Sequence, residues 1–141
     1  QALAIKLKQG TQRVFCLLSD GETNEGSVWE AALFASAHKL NNLICFIDYN
    51  KWQATGRSDR VLNATSHADK WSSFGWDVEC IDGHDFQQII SAAYNPSEKP
   101  KMIVADTVKG RGVSFMEDEN NWHYRVPNSE EIQQAKQKLG I

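Results

Sequence analysis

The chain has 141 residues, of which 41% are hydrophobic and 23% are charged, and its formal net charge is -3. This length and balance are typical of one globular domain with a hydrophobic core and argue against a disordered chain. The sequence shows no basic stripe for nucleic acid, no long apolar segment for a membrane and no positively charged leader. We therefore expect a single cytoplasmic domain over residues 1–141, with no nucleic-acid or membrane partner.

Apolar strands and helices alternate along the chain. Four segments are predicted to be buried strands: residues 13–19, 42–49, 76–82 and 101–108. Three segments are predicted to be helices: residues 27–40, 85–94 and 129–140. Because strands that are apolar on both faces alternate with helices, we predict an α/β fold in which a parallel sheet has helices on both faces.

Capping residues indicate where the predicted helices begin and end. Asp85 is expected to cap the second helix and Ser129 the third, which Gly140 is expected to end. Residues 1–10 are helical in composition but have no capping residue before them. We therefore expect a fold that is incomplete at its N-terminus, in a truncated or partly disordered chain. Three segments are predicted to be loops: residues 51–65, 95–100 and 109–128.

The three cysteines are expected to be reduced core residues. Cys16, Cys45 and Cys80 are odd in number and widely spaced, and two of them lie inside apolar runs. A cysteine in such a run behaves as a small hydrophobic residue. This spacing predicts neither a disulfide nor a zinc site.

An acidic stretch with two glycines follows the first predicted strand. Residues 19–26 read SDGETNEG, and the second predicted strand is followed by Asn50. In a right-handed βαβ unit the carboxyl ends of both strands emerge side by side, so Asp20 and Asn50 are predicted to be neighbours. Ligands of open α/β folds bind at this edge of the sheet. The two side chains are therefore expected to face a ligand.

The residues around this predicted pair suit a diphosphate bound with Mg²⁺. Asp20 and Asn50 offer the hard oxygen atoms that Mg²⁺ prefers, and the carbonyl of Trp52 is expected to turn toward the same ion. Gly21 has no side chain to keep an anion away from the backbone. A helix that begins near Gly26 directs free N–H groups and its positive dipole end toward the same place.

Residues 19–56 carry a resemblance to a known family. They read SDGETNEGSVWEAALFASAHKLNNLICFIDYNKWQATG, which resembles the thiamine-diphosphate motif of transketolases. Later segments follow in the order of the diphosphate-binding domain of that family: DGHD at 82–85, KGRG at 109–112 and WHYRVP at 122–127. The resemblance implies the diphosphate-binding fold of transketolases.

The resemblance also implies which residues bind the cofactor. Asp20, Asn50 and the Trp52 carbonyl would hold Mg²⁺ or Ca²⁺, and Gly21 and Asn50 would touch the diphosphate of thiamine diphosphate. Glu25 resembles a family acid that lies near the cofactor and the subunit interface.

A histidine near the end of the chain completes the implied site. His123 resembles the histidine that reaches the cofactor and the sugar substrate in transketolases. Two positions depart from the family pattern, since Tyr124 and Ser19 both stand where the family usually has glycine. The Tyr124 departure bears directly on the role of its neighbour His123.

The implied reaction is the transfer of a two-carbon ketol unit from a ketose phosphate to an aldose. Its implied partners are sugar phosphates and a pyrimidine-binding domain or C-terminal subunit of the same enzyme, in a homodimer or a heterotetramer. The pyrimidine domain, the first portion of the diphosphate domain and its Gly-His-Gly loop are not part of this sequence. We therefore expect the isolated chain to lack transketolase activity.

Simpler interpretations of the same residues remain open. An Asp-Gly pair after a strand also occurs in ordinary turns, Glu25 also suits a helix N-terminus, and His123 also suits an exposed loop. For the chain as a whole, the alternative is a non-catalytic α/β module that binds Mg²⁺ and a diphosphate, or a degenerate paralogue that retains the fold for association. Within the thiamine-diphosphate enzymes, the alternatives are the 2-oxo acid dehydrogenase type and the deoxyxylulose-phosphate synthase type.

Overall fold

The computed structural model describes residues 1–62 and 66–141. In that part of the chain six strands are present: β1 (Val14–Ser19), β2 (Leu43–Tyr49), β3 (Trp52–Gln53), β4 (Gly56–Arg57), β5 (Asp77–Asp82) and β6 (Lys101–Asp106). Six helices accompany them: α1 (Ala2–Leu7), α2 (Gly26–Ala37), α3 (Ser58–Val61), α4 (His67–Ser73), α5 (Phe86–Tyr94) and α6 (Ser129–Leu139). Two short 3-10 turns cover Glu22–Asn24 and Asn120–His123.

Four of the strands form one parallel sheet. Their order is β1-β2-β6-β5, and every neighbouring pair is parallel. This arrangement confirms the predicted parallel sheet, and each of the four predicted strands is present. The last strand ends at Asp106 rather than at residue 108, and the Val108 backbone N–H bonds the His84 side chain instead of a neighbouring strand.

Helices lie on both faces of the sheet. On one face, α2 and α4 pack over β2 and β6, and Ile47, Trp71 and Met102 are among the most deeply buried side chains there. On the other face, α5 packs over β5 and β6 through Ala92 and Ile103. The burial of each large apolar side chain contributes about 1.5–3 kcal/mol to the stability of the fold. These two layers hold the carboxyl edge of the sheet in place.

The edge strand β1 is less covered than the sequence predicts. Phe15 is 51% exposed and Leu17 is 71% exposed, on the sheet face that α5 does not cover at this end. The cysteine prediction is accordingly right for Cys45, which is buried, and wrong for Cys16 and Cys80, which are exposed. All three cysteines are free thiols. The error has a physical reason: an apolar run predicts a strand without telling how far each face is covered.

The segment 51–65, which the sequence predicts to be a loop, contains regular structure. Strands β3 and β4 form an antiparallel hairpin, and helix α3 follows it directly. Residues 63–65 of this predicted loop lie outside the described residues. Helix α4 is also present where the sequence predicts no element. Strands β3 and β4 and helices α3 and α4 are all short, so none of them has enough residues for a clear periodic hydrophobic pattern.

The helix caps agree with the sequence except at one position. Asp85 accepts hydrogen bonds from the backbone N–H groups of the first turn of α5, and Gly140 ends α6 with a φ of +71°. The N-cap of α6 is Asn128 and not Ser129, because Asn128 and Glu131 form a reciprocal capping box. Of the described helices, none is both long and apolar enough to cross a membrane.

Candidate functional site

The two oxygen-bearing residues singled out by the sequence follow neighbouring strands. Ser19 at the end of β1 is paired in register with Asp48 of β2. Asp20 therefore lies one residue beyond this pair on its strand, and Asn50 two residues beyond it on the other. The structure places both at the carboxyl edge of the parallel sheet, as predicted.

Asp20 is a buried carboxylate held by neutral donors. It is 2% exposed, and its oxygens accept hydrogen bonds from the Gly21 backbone N–H at 2.7 Å and the Ser58 hydroxyl at 2.5 Å. Burial raises the pKa of the Asp20 carboxyl above its usual value, and the carboxylate of Asp48 raises it further. The bonds from Ser58, Gly21 and the Lys51 backbone lower the pKa of Asp20. The net direction is upward, because burial is the largest of these effects.

Gly21 lies in close contact with the hairpin that follows β2. A Cβ atom at residue 21 would stand 3.2 Å from Cγ of Gln53, which is tighter than ordinary van der Waals contact. Gln53 in turn accepts a hydrogen bond from the Asn24 side chain at 3.0 Å. The Asp-Gly turn and the hairpin therefore pack closely, and a methyl group at residue 21 would fit only if the flexible Gln53 side chain moved slightly.

The acidic stretch after β1 is organised mainly by its own hydrogen bonds. The Ser19 backbone N–H donates to the Glu22 carboxylate at 3.2 Å, and the Glu22 backbone N–H donates to the Ser19 hydroxyl at 3.1 Å. This reciprocal pair gives Glu22 a structural role. Glu25 is exposed and occupies the N-cap position of α2, which begins at Gly26 as predicted. Its carboxylate is thus free of a capping bond to that helix.

Asn50 shapes the turn that leads into the hairpin. Its side-chain oxygen accepts a hydrogen bond from the Trp52 backbone N–H at 3.0 Å, and its amide nitrogen donates to Asp48 at 3.4 Å. Between them, Lys51 has a φ of +69°, a left-handed conformation that is uncommon for a residue with a side chain. The left-handed turn at Lys51 comes directly before β3, which begins at Trp52.

His123 lies in a loop that contacts the same hairpin. It is the last residue of the 3-10 turn Asn120–His123 and is exposed. The hydroxyl of the adjacent Tyr124 donates to the Ala54 carbonyl at 2.8 Å, and the Asn120 side chain donates to the same carbonyl at 3.3 Å. The loop of His123 is therefore attached to the hairpin that contains Trp52.

The DGHD segment has a structural role at the same edge. A Cβ atom at Gly83 would stand 2.4 Å from Cγ2 of Thr107, so residue 83 has no room for a side chain. His84 accepts a hydrogen bond from the Val108 backbone N–H at 2.8 Å through its Nε2 atom. Thr107 also donates its hydroxyl to Asp48. These contacts connect the ends of β5 and β6 to the end of β2.

The residues present suit a hard cation and a phosphate. In residues 1–62 and 66–141, no group of three or more His, Cys, Asp or Glu side chains is arranged for a metal. One carboxylate, one amide oxygen and one backbone carbonyl are the protein ligands predicted instead, from Asp20, Asn50 and Trp52. Asp20 and Asn50 follow neighbouring strands at the carboxyl edge, and Trp52 begins β3. Mg²⁺ is usually bound by one or two carboxylates together with substrate phosphates and water. The Asp20 carboxylate, buried at the carboxyl edge of the sheet, fits this chemistry.

Sequence reasoning missed two residues of this site. Ser58 bonds Asp20 from a segment 38 residues away, and Asp48 adds a second carboxylate beside it. Asp48 has a signal, because it lies two residues before Asn50 at the end of the same strand. Ser58 has none, because its position depends on how the hairpin folds back.

Comparisons with known proteins identify the family to which the chain belongs. The model of the family described as "Transketolase, thiamine diphosphate binding domain" matches residues 7–141. The chain is 37% identical over 142 residues to an apulose-4-phosphate transketolase subunit of Phocaeicola vulgatus, with 98% of the chain and 50% of that protein covered. It is 42% identical over 119 residues to 6-deoxy-6-sulfo-D-fructose transketolase subunit SqwG of Clostridium sp., with 82% and 43% covered.

A solved structure shows the same fold. The transketolase of Campylobacter jejuni superposes with a TM-score of 0.92 at 30% identity, over 99% of this chain and 23% of that protein. The chain spans half or less of the length of the two curated relatives described above. The predicted fold, a parallel α/β sheet of the transketolase diphosphate-binding type, is confirmed by this match.

Proposed function

The chain belongs to the transketolase family through its thiamine diphosphate binding domain, and we propose that it supplies the diphosphate- and metal-binding part of a cytoplasmic transketolase. In this proposal residues 1–141 act as one domain of an enzyme that moves a two-carbon ketol unit from a ketose phosphate to an aldose. The observation that carries the proposal is the buried carboxylate of Asp20, held beside Gly21 at the carboxyl edge of the sheet.

The cation site is formed by three residues in this proposal. Asp20, Asn50 and the Trp52 carbonyl hold Mg²⁺ or Ca²⁺, with phosphate oxygens completing its coordination. A cation beside Asp20 removes the energetic cost of a buried negative charge that its raised pKa indicates. Asn50 has to exchange its bond to the Trp52 N–H for the metal, which requires a local rotation of its side chain and no change of strand register.

The diphosphate is held by backbone as well as by side chains. Gly21 allows a phosphate oxygen to approach the chain, and Asn50 offers its amide nitrogen to it. The N-terminus of α2 begins at Gly26 and adds a favourable dipole. In this proposal Glu25, which occupies the N-cap of α2, lies near the cofactor and the subunit interface, as the family resemblance implies.

His123 is the proposed contact to the cofactor and the sugar. It is exposed on the loop attached to the hairpin, so its imidazole is available to a ligand at this edge. Thiamine diphosphate, when bound, supplies the electron sink that allows the carbon–carbon bond beside the ketose carbonyl to break. The residues of this chain bind, orient and shield it.

In this proposal, the pyrimidine-binding domain of the enzyme is supplied by a partner. Two relatives are named as transketolase subunits, which supports a partner that carries the pyrimidine-binding domain. The assembled enzyme is a homodimer or a heterotetramer, and its substrates are sugar phosphates. The names of these relatives include different sugars, so they do not indicate which sugar this chain uses.

Calorimetric titration of thiamine diphosphate into the chain tests the proposal. We expect binding in the presence of Mg²⁺ and none when EDTA removes it, because the phosphates reach the carboxylate only through the cation. Binding of equal strength in EDTA would contradict the metal site. Binding without two-carbon transfer after the pyrimidine-binding partner is added would favour the non-catalytic module instead.

A further inference from the structure

A carboxylate outside the proposed metal ligands holds both sides of the β3–β4 hairpin. Asp118 accepts a hydrogen bond from the Trp52 indole Nε1–H at 2.8 Å. It also accepts two bonds from the Arg57 guanidinium, at 2.7 Å and 2.5 Å. Trp52 and Arg57 are paired across the hairpin, and the guanidinium lies 3.9 Å from the centre of the indole ring. One side chain thus fixes the relative positions of both strands.

The tip of the hairpin is held from the same loop. Tyr124 donates its hydroxyl to the Ala54 carbonyl at 2.8 Å, and Asn120 donates to the same oxygen at 3.3 Å. The loop 118–124 therefore contacts the hairpin at its base and at its tip. We refer to the contacts of Asp118 and Tyr124 with Trp52, Arg57 and Ala54 as the hairpin latch.

Backbone conformation supports a specific role for Asp118. Its φ is +58°, and its backbone N–H donates to the Lys109 carbonyl at 2.9 Å. A left-handed conformation is disfavoured for residues with a side chain but is less so for aspartate. This conformation directs the Asp118 carboxylate to the hairpin. Arg57 lowers the pKa of that carboxyl, so it is ionised at neutral pH.

We infer that Asp118 and Tyr124 are positioning residues that fix the Trp52 carbonyl and His123 relative to each other. The inference rests on the proposed function, in which Trp52 serves the cation and His123 serves the cofactor and sugar. The two groups lie on separate segments, and the hairpin latch joins those segments. Without the hairpin latch, the hairpin and the loop of His123 stay folded, but the Trp52 carbonyl and His123 are no longer held in fixed relative positions.

The inference gives Tyr124 a role at the position where the family usually has glycine. A glycine would offer no hydroxyl to Ala54, so in this chain the phenol adds an attachment beside His123. The Tyr124 ring lies 5.2 Å from the His123 ring, centre to centre, which also limits the orientations of the imidazole. The latch is thus a property of these particular side chains.

The latch is tested first without any cofactor. In ¹H–¹⁵N spectra, the Trp52 indole N–H is assigned by its absence in Trp52→Phe. We expect Asp118→Asn to shift this resonance and to raise its exchange rate about tenfold, because charged hydrogen bonds are the stronger ones. Tyr124→Phe should raise the rate about threefold. Tyr94→Phe, which removes a hydroxyl from an exposed tyrosine at the end of α5 that packs against Arg13, is the matched control and should change nothing.

The positioning role is tested by the Mg²⁺ concentration that half-saturates thiamine diphosphate binding. Asp118→Asn and Tyr124→Phe should each raise this concentration by about threefold or more, while thermal unfolding midpoints stay close to wild type. An unchanged Mg²⁺ requirement in both variants, with normal binding by wild type, would overturn the inference alone. An unchanged indole resonance in Asp118→Asn would do so as well. Failure of wild type to bind would instead contradict the proposed function on which the inference rests.

Discussion

Ser58 donates its hydroxyl to the Asp20 carboxylate at 2.5 Å, and both side chains are 2% exposed. The bond joins the turn after β1 to the start of α3, immediately beyond the hairpin. The carboxylate that we propose as a metal ligand is therefore held from two distant parts of the chain. A substitution of Ser58 should therefore change both the stability of the chain and the pKa of Asp20.

Replacing Ser58 with alanine should destabilise the chain by about 1–3 kcal/mol, because a buried carboxylate then loses one of its donors. The same change raises the pKa of Asp20 further, since the Ser58 bond lowers it. Urea unfolding measures the change in free energy. Ser91→Ala, at an exposed position in α5, is the matched control and should stay within about 0.5 kcal/mol of wild type. Equal unfolding free energies of the two variants would show that the Ser58–Asp20 hydrogen bond does not stabilise the chain.

Gly21→Ala should weaken thiamine diphosphate binding by about tenfold or more while costing little stability. The new methyl meets the flexible side chain of Gln53 at 3.2 Å, which can move, but it also occupies the surface that we propose for a phosphate. Calorimetry measures the affinity. Gly26→Ala, where an added Cβ meets no atom within 4 Å, controls for the effect on folding. Unchanged affinity in Gly21→Ala would remove Gly21 from the proposed site.

Stability should depend on pH through His67, which is 8% exposed and packs edge-on against the Tyr49 ring. Burial, followed by the charge of Lys70, lowers the pKa of His67 below its ordinary value of 6.5. The folded chain then binds fewer protons than the unfolded chain just below pH 6.5, so stability falls as the pH decreases through this range.

The comparison with His67→Gln isolates this effect. The difference in unfolding free energy between wild type and the variant should decrease as the pH falls from about 7.5 to about 5.5, by at most about 1.4 kcal/mol per pH unit. The other histidines cancel because both proteins contain them. Parallel stability curves would show that the pKa of His67 is not lowered in the folded chain.

His123→Ala should reduce two-carbon transfer by about a hundredfold in the enzyme assembled with its pyrimidine-binding partner. Its side chain is exposed, so the unfolding free energy should remain close to that of wild type. His38→Ala is the matched control, because His38 is exposed beyond the end of α2 and stacks on Phe34. Transfer that is equal in the two variants would leave His123 without a role in the reaction.

The sequence could predict that Asp20 and Asn50 follow neighbouring strands at the same edge of the sheet, because this depends on topology. Once two apolar strands and an intervening helix are recognised, the carboxyl ends of the strands must meet at one edge. The position of the last helix cap was missed by one residue. Both Asn128 and Ser129 are good caps, and the choice was decided by the reciprocal bond to Glu131.

The contacts of Ser58, Asp118 and Tyr124 could not be predicted in the same way. The contacts of Asp118 and Tyr124 depend on how a short hairpin folds against a loop more than sixty residues away in the chain. The contact of Ser58 depends on how the segment after the hairpin folds back onto Asp20, 38 residues earlier. Short hairpins and exposed polar side chains leave no periodic pattern from which such contacts can be inferred. The exposure of one face of β1 could not be predicted for a related reason, because the hydrophobicity of a strand does not show whether a helix covers each of its faces.

The most direct test is titration of thiamine diphosphate with Mg²⁺ into wild type, Asp20→Asn and Asp59→Asn. The two variants carry the same change of charge, but Asp59 is exposed on α3 beside the buried Ser58. We predict that Asp20→Asn abolishes Mg²⁺-dependent binding, whereas Asp59→Asn binds like wild type. Undiminished binding by a folded Asp20→Asn variant would contradict the proposed site.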